Sequence, residues 1–136
     1  MSLVTKDGLA RTGRREVPVA AAALVAWAGL VVHNVADLPG QTLLSPESAV
    51  PGLVSLVLVA LWLLPRTRRI AGWLLLGWAL LNLIGGAVLS VLPLPVLPFV
   101  PEQSLRHYLF HLLYGLCQVP LVVALVVSRR RPEPDE

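Results

Sequence analysis

The sequence predicts an all-α integral membrane protein: an antiparallel bundle of four transmembrane helices with its N and C termini in the cytoplasm. Three observations lead to this. Hydrophobic residues make up 56% of the 136-residue chain and charged residues only 14%, where soluble domains carry about 25%. Four windows, 17–36, 46–64, 70–92 and 105–127, each supply close to the roughly 20 apolar residues that a helix needs to cross a hydrocarbon core about 30 Å thick. Ten of the eleven Lys and Arg residues fall in a head (Lys6, Arg11, Arg14, Arg15), a turn (Arg66, Arg68, Arg69) and a tail (Arg129, Arg130, Arg131), with Arg106 alone elsewhere. Short segments rich in Lys and Arg stay on the cytoplasmic side, so loops 1–2 and 3–4 face outward and the chain is expected in the plasma membrane as a multi-pass protein.

The chain divides accordingly into a basic head (1–16), four spans, a proline-rich outer loop (93–104) and a tail (128–136). Outside the spans too little chain remains to bury a core in water, so one membrane domain is expected. Arg14-Arg15 and Ala26-Trp27-Ala28 have some features of a cleaved secretory signal. The apolar run continues past that site, however, and Glu16-Val17-Pro18 fits a twin-arginine signal poorly, so the segment is expected to stay as the first helix. Ala22, Ala26, Gly29, His33 and Asp37 recur on one of its faces, small residues first and polar residues toward its outer end.

The second helix has a start signal in Ser45 as cap, Pro46 in the first helical position and Glu47 near the positive end of the dipole, and it stops at Pro65. For polar contacts it offers only Ser48 and Ser55, so it is expected to face lipid. The third follows a turn so short that helices two and three must form a hairpin. It carries Asn82 and Gly86, four apart, with Gly85 and Ser90 nearby. Ser104, His107, His111, Tyr114 and Gln118 recur at intervals of three and four along the fourth helix, while Leu109, Phe110, Leu112, Leu113 and Leu116 point elsewhere. A polar stripe in hydrocarbon must face the bundle interior or a partner subunit.

At about 1.5 Å per residue, His33 and His111 both lie roughly 24 Å from the cytoplasmic edge, His107 one turn further out, and Asn82 and Gln118 nearer the middle. His33, Asp37, Asn82, His107, His111, Tyr114 and Gln118 therefore form a candidate polar cluster in the outer half of the membrane. Interhelical hydrogen bonding alone would explain it at roughly 0.6 to 2 kcal/mol per bond. Two alternatives remain. His107 and His111 at i,i+4, with His33 and a carboxylate from Asp37 or Glu102, can bind a transition metal, or His33 and His111 can ligate haem b across the bundle. The cluster can also receive a quinone, an ion or a transported solute.

The outer loop contains Pro93, Pro95, Pro98 and Pro101, which favour a stiff extended backbone, yet it is apolar and includes Phe99. It is expected to lie in the headgroup interface, to cover the bundle mouth above the histidines, or to dock on another membrane protein. Cys117 is the only cysteine, so no internal disulfide can form, and it is expected to be an inert core residue. Trp62 and Trp73 flank the basic turn as interfacial belt residues do, and Trp27 and Trp78 are expected to pack within the bundle. The tail is expected to be disordered, with its arginines among anionic lipid headgroups. Cations split among three membrane edges argue against nucleic acid. No phosphate loop, nucleophile elbow, HExxH or paired-carboxylate motif occurs, so enzymatic activity has no support in sequence motifs and no cofactor is called for by them. Sequence alone thus favours an accessory or structural subunit of a larger membrane complex, binding a membrane-protein partner or further copies of itself. A His-lined site for a small ligand and a metal or haem site are the alternatives.

Overall fold

The computed structural model describes residues 6–130, with side chains given for residue 16 and from residue 18 onward. Helix α1 spans Lys6–Asp37, α2 Pro46–Leu63, α3 Arg68–Leu80 and α4 Leu105–Arg130. α3 continues without a break into a π-helical segment, Leu81–Val88, and a 3-10 turn, Leu89–Val91. No strand occurs among the described residues. Among the described residues, four helical segments are long and apolar enough to cross a membrane: Pro18–Asp37, Pro46–Leu63, Arg68–Val91 and Leu105–Arg130.

Two boundaries differ from expectation. α1 starts eleven residues before the apolar window, because residues 6–16 are mostly good helix formers and an apolarity window measures hydrocarbon compatibility, not helicity. α4 runs through Arg130, so the expected disordered tail begins no earlier than 131, and residues 131–136 lie outside the described residues.

Each helix packs on its neighbours in the chain, and α4 closes the ring against α1, while diagonal pairs stay apart. α1 and α4 form the most extensive contact. Their approach depends on small residues: a methyl group added to Gly29 would collide with Cβ of Cys117 and lie 2.9 Å from its Sγ. Toward the basic end the core consists of Val19, Ala22, Ala23 and Ala26 of α1 against Trp62, Leu75, Ala79, Leu121 and Leu125. The outer surface is the inverse of a water-soluble protein. Leu24, Leu53, Leu56, Leu74, Leu81, Leu109, Leu112 and Leu116 are all exposed, as suits contact with acyl chains.

α2 buries only Ser48 and Trp62, in keeping with a lipid-facing helix, but Ser48 is fully enclosed and works in the interior. Ser45 occupies the N-cap position before Pro46, yet its side chain does not cap: Oγ accepts the Thr42 N–H at 2.9 Å and closes the preceding loop. At the basic end, Arg68 pairs with Glu16 at 2.5 Å, donates to the carbonyls of Trp62 and Leu63, and covers the Trp62 ring. Trp62 is therefore buried beneath Arg68 and is not a belt residue. Trp73 is exposed, with the Arg129 guanidinium 3.6 Å from its ring centroid. Trp27 and Trp78 pack inward and donate to the Ser48 carbonyl and to Ser55 Oγ at 2.9 and 3.0 Å.

Candidate metal centre at the end opposite the basic turn

The α4 stripe points inward. His107, His111, Tyr114 and Gln118 are buried, and the leucines at 109, 112, 113 and 116 are exposed. The α1 stripe faces it, with Ala22, Ala26, Gly29 and His33 buried and the Asp37 side chain 3% exposed. Because the two helices run antiparallel, the polar outer end of one meets the polar outer end of the other. Gln118 Nε2 donates to the Ala26 carbonyl at 3.0 Å and fixes the register.

Three imidazoles converge as a result. Ring centroids are 4.3 Å apart for His33 and His111, 4.4 Å for His107 and His111, and 6.1 Å for His33 and His107. One ring nitrogen of each lies within 4.8 Å of those of the other two. Each Nδ1 is already engaged: with Asn34 Oδ1 at 3.0 Å for His33, with Asp37 Oδ2 for His107, and with the Ala87 carbonyl at 3.1 Å for His111. Asn34 spends its own amide hydrogens on the Glu47 carbonyl at 3.0 Å and Ser48 Oγ at 3.1 Å, so its oxygen is what faces His33.

All three partners are acceptors, so the network assigns the proton of every ring to Nδ1 and leaves each Nε2 as a free lone pair. Nε2 of His33 and of His107 is buried with no hydrogen-bond partner among the described residues. A buried polar atom left unpaired costs about 1–3 kcal/mol. Hydrogen bonding, between helices for His107 and His111 and within α1 for His33, accounts for the Nδ1 atoms and not for these. Metal-ligating histidines show the same division, with one nitrogen for the ion and the other hydrogen-bonded to a carboxylate or carbonyl that fixes ring and tautomer. His33 and His111, in edge contact, leave no slot between them for a porphyrin, so the haem alternative does not fit this geometry.

Asn34 was not evident from the stripe. It sits one residue, about 100°, from His33 and turns toward α2. The available signal was an Asn inside an apolar span, where an amide needs partners. On the metal-binding reading proposed below, replacing Asn34 with Ala is expected to weaken binding about 10–100-fold by freeing the His33 ring, read by competition with a chromophoric chelator. Asp37→Asn should lower affinity over the same range, since the carboxylate at His107 Nδ1 becomes a neutral amide.

The remaining candidates divide. Tyr114, Asp37 and the three histidines border one cavity of about 360 Å³, together with Leu30, Phe99, Val100, Pro101 and Glu102. Tyr114 donates to Asn82 Oδ1 at 2.7 Å, and Asn82 Nδ2 donates to the Trp78 carbonyl at 2.8 Å. Asn82 and Gln118 instead border a separate void of about 10 Å³, room for one water at most. Asn82 belongs to the π-helical segment. There Gly86 lets Tyr114 pass so closely that an added methyl would sit 2.7 Å from its hydroxyl. Of the outer-loop residues, Phe99 and Pro101 reach the cavity mouth, while Pro93, Pro95 and Pro98 are exposed and do not border it.

Comparison of the chain with protein-family models, with curated proteins and with solved structures returned no match.

Proposed function

We propose that this chain is a multi-pass membrane protein that holds one transition-metal ion, of the zinc class, on Nε2 of His33, His107 and His111. The observation that carries this reading is the shared polarity of the three rings: every Nδ1 has an acceptor, and two buried Nε2 atoms have no partner among the described residues. Neutral imidazoles suit zinc and its neighbours in the first transition row. The asymmetry of Lys and Arg supports a cytoplasmic location for both termini and the Arg66–Arg69 turn, which puts the metal near the outer face of the plasma membrane. Titrating the full-length chain in mild detergent with Co²⁺ tests the proposal. Visible absorption saturating at one equivalent is expected, and a spectrum of aqueous cobalt alone throughout the titration would refute it.

A second reading rests on the outer loop, where Val96 and Val100 are 82% and 91% exposed beside Phe99 at 51%. These residues supply an apolar surface for another membrane protein, and the chain would then serve as an accessory subunit carrying the metal. In blue-native electrophoresis it should migrate as part of a larger complex and lose that partner when Val96 and Val100 become Ser. Migration as a lone monomer before substitution argues against this role.

A further inference from the structure

We infer that Pro51 of α2 is a positioning residue for the histidine cluster: by leaving the Glu47 carbonyl open to Asn34, it sets the tautomer of His33 and frees Nε2 of that ring. The tautomer follows from the hydrogen bonds alone, and its consequence for affinity rests on the three-histidine metal reading above.

In an unbroken helix the carbonyl of Glu47 would accept the N–H of the residue four positions on. That residue is Pro51, inside α2, and proline has no N–H to give. A backbone carbonyl deprived of its helical partner takes another donor within reach. Asn34 of α1 supplies it, with Nδ2 3.0 Å from the Glu47 oxygen. The second amide hydrogen goes to Oγ of the fully enclosed Ser48, at 3.1 Å.

The direction of this contact matters more than its strength. A carbonyl can only accept, so the nitrogen of the Asn34 amide has to face α2, and the oxygen is left for His33 Nδ1 at 3.0 Å. An amide oxygen likewise only accepts, which places the imidazole proton on Nδ1. Nε2 keeps its lone pair, buried and without a partner among the described residues. Were Asn34 turned over, its NH2 would donate to Nδ1, the proton would move to Nε2, and that atom could not ligate a metal. His107 and His111 need no such control, because their Nδ1 partners are the Asp37 carboxylate, an acceptor when ionised, and the Ala87 carbonyl. His33 alone depends on an amide with two unlike faces, and α2 selects the face.

Pro51→Ala in the full-length chain, carrying ¹⁵N-labelled histidine in detergent, tests this. Alanine restores the N–H four residues after Glu47, the helix satisfies its own carbonyl, and Asn34 is released. NMR of the metal-free parent should show His33, assigned by its loss in His33→Ala, protonated on Nδ1 alone. In Pro51→Ala the His33 proton should be shared with Nε2 while His107 and His111 are unchanged. Pro120→Ala, the same exchange in α4, should leave all three rings as in the parent. Thermal stability should not fall, since alanine is the better residue inside a helix. Co²⁺ affinity should nevertheless drop about 10-fold, as when an outer partner of a ligand is lost. Adding Asn34→Asp to the Pro51→Ala chain offers His33 an oxygen whichever way the group turns, and should return the proton to Nδ1. The role is overturned by a parent His33 protonated on Nε2, by a His33 tautomer that Pro51→Ala leaves unchanged, or by a changed tautomer with unchanged cobalt affinity. Reduced thermal stability in Pro51→Ala, or no return of the proton with Asn34→Asp, also overturns it. Absence of cobalt binding in the parent removes the metal reading, and the His33 tautomer then decides the inference by itself.

Discussion

Replacing His111 with alanine is expected to lower zinc or cobalt affinity by at least about 100-fold, beyond the 10–100-fold that losing an outer-sphere partner costs. His111 is in edge contact with both other histidines, so its loss leaves two ligands whose ring centroids are 6.1 Å apart. The helix itself should persist, because alanine is the better helix former and the leucine face of α4 is untouched. Calorimetric titration of the detergent-solubilised variant provides the measurement. Leu112→Ala, one residue away and exposed, serves as the control and should bind metal as the parent does. Equal affinity in all three chains would show that the ring cluster is not a metal centre.

The second large effect concerns the frame that brings the rings together. Gly29→Ala places a methyl group against Cβ of Cys117, across the α1–α4 contact. Overpacking of this kind costs about 1–3 kcal/mol. The strain has to be relieved by separating the helices that carry His33 on one side and His107 and His111 on the other. Thermal stability in detergent and metal affinity should therefore fall together. Cys117→Gly in the same chain removes the obstructing atom and should restore both, a coupling that a double-mutant cycle isolates. If Gly29→Ala changes neither quantity, the close approach of α1 and α4 is not what positions the site.

Much of this arrangement was legible from periodicity. Residues 33 and 37 on one helix and 107, 111, 114 and 118 on another fall on single stripes, and a polar stripe in an apolar helix has to turn inward. The antiparallel order of the spans then brings the two polar ends to one level. Three features were not legible, each for a physical reason. Asn34 lies off the stripe and acts through α2, and nothing in local sequence spacing shows that Ser48 and the Glu47 carbonyl will stand opposite it. The π-helical segment Leu81–Val88 leaves no periodic mark, since one wider turn shifts the register by about one residue, yet it contains both Asn82 and the Ala87 carbonyl that holds His111. Most important, spacing predicts which rings meet but not which nitrogen of each is free. That depends on Asn34, Asp37 and Ala87 together, and it is the observation on which the proposed ligand set rests.

The expectation for the outer loop divides along similar lines. Proline spacing indicates an extended, non-helical segment, and the chain from Leu92 to Ser104 contains no regular element apart from turns. Which side chains fold over the bundle mouth is a matter of tertiary packing: Pro101 is buried, whereas Pro93, Pro95 and Pro98 face outward. Glu102, next to the buried Pro101, borders the same cavity.

X-ray absorption at the zinc edge of the full-length, zinc-loaded chain reads the proposed ligand set most directly. Three imidazole nitrogens at about 2.0–2.1 Å, with the outer-ring scattering of histidine and one oxygen ligand, are expected. A shell of oxygen atoms without imidazole scattering, or zinc removed by a desalting column, would contradict the three-histidine centre.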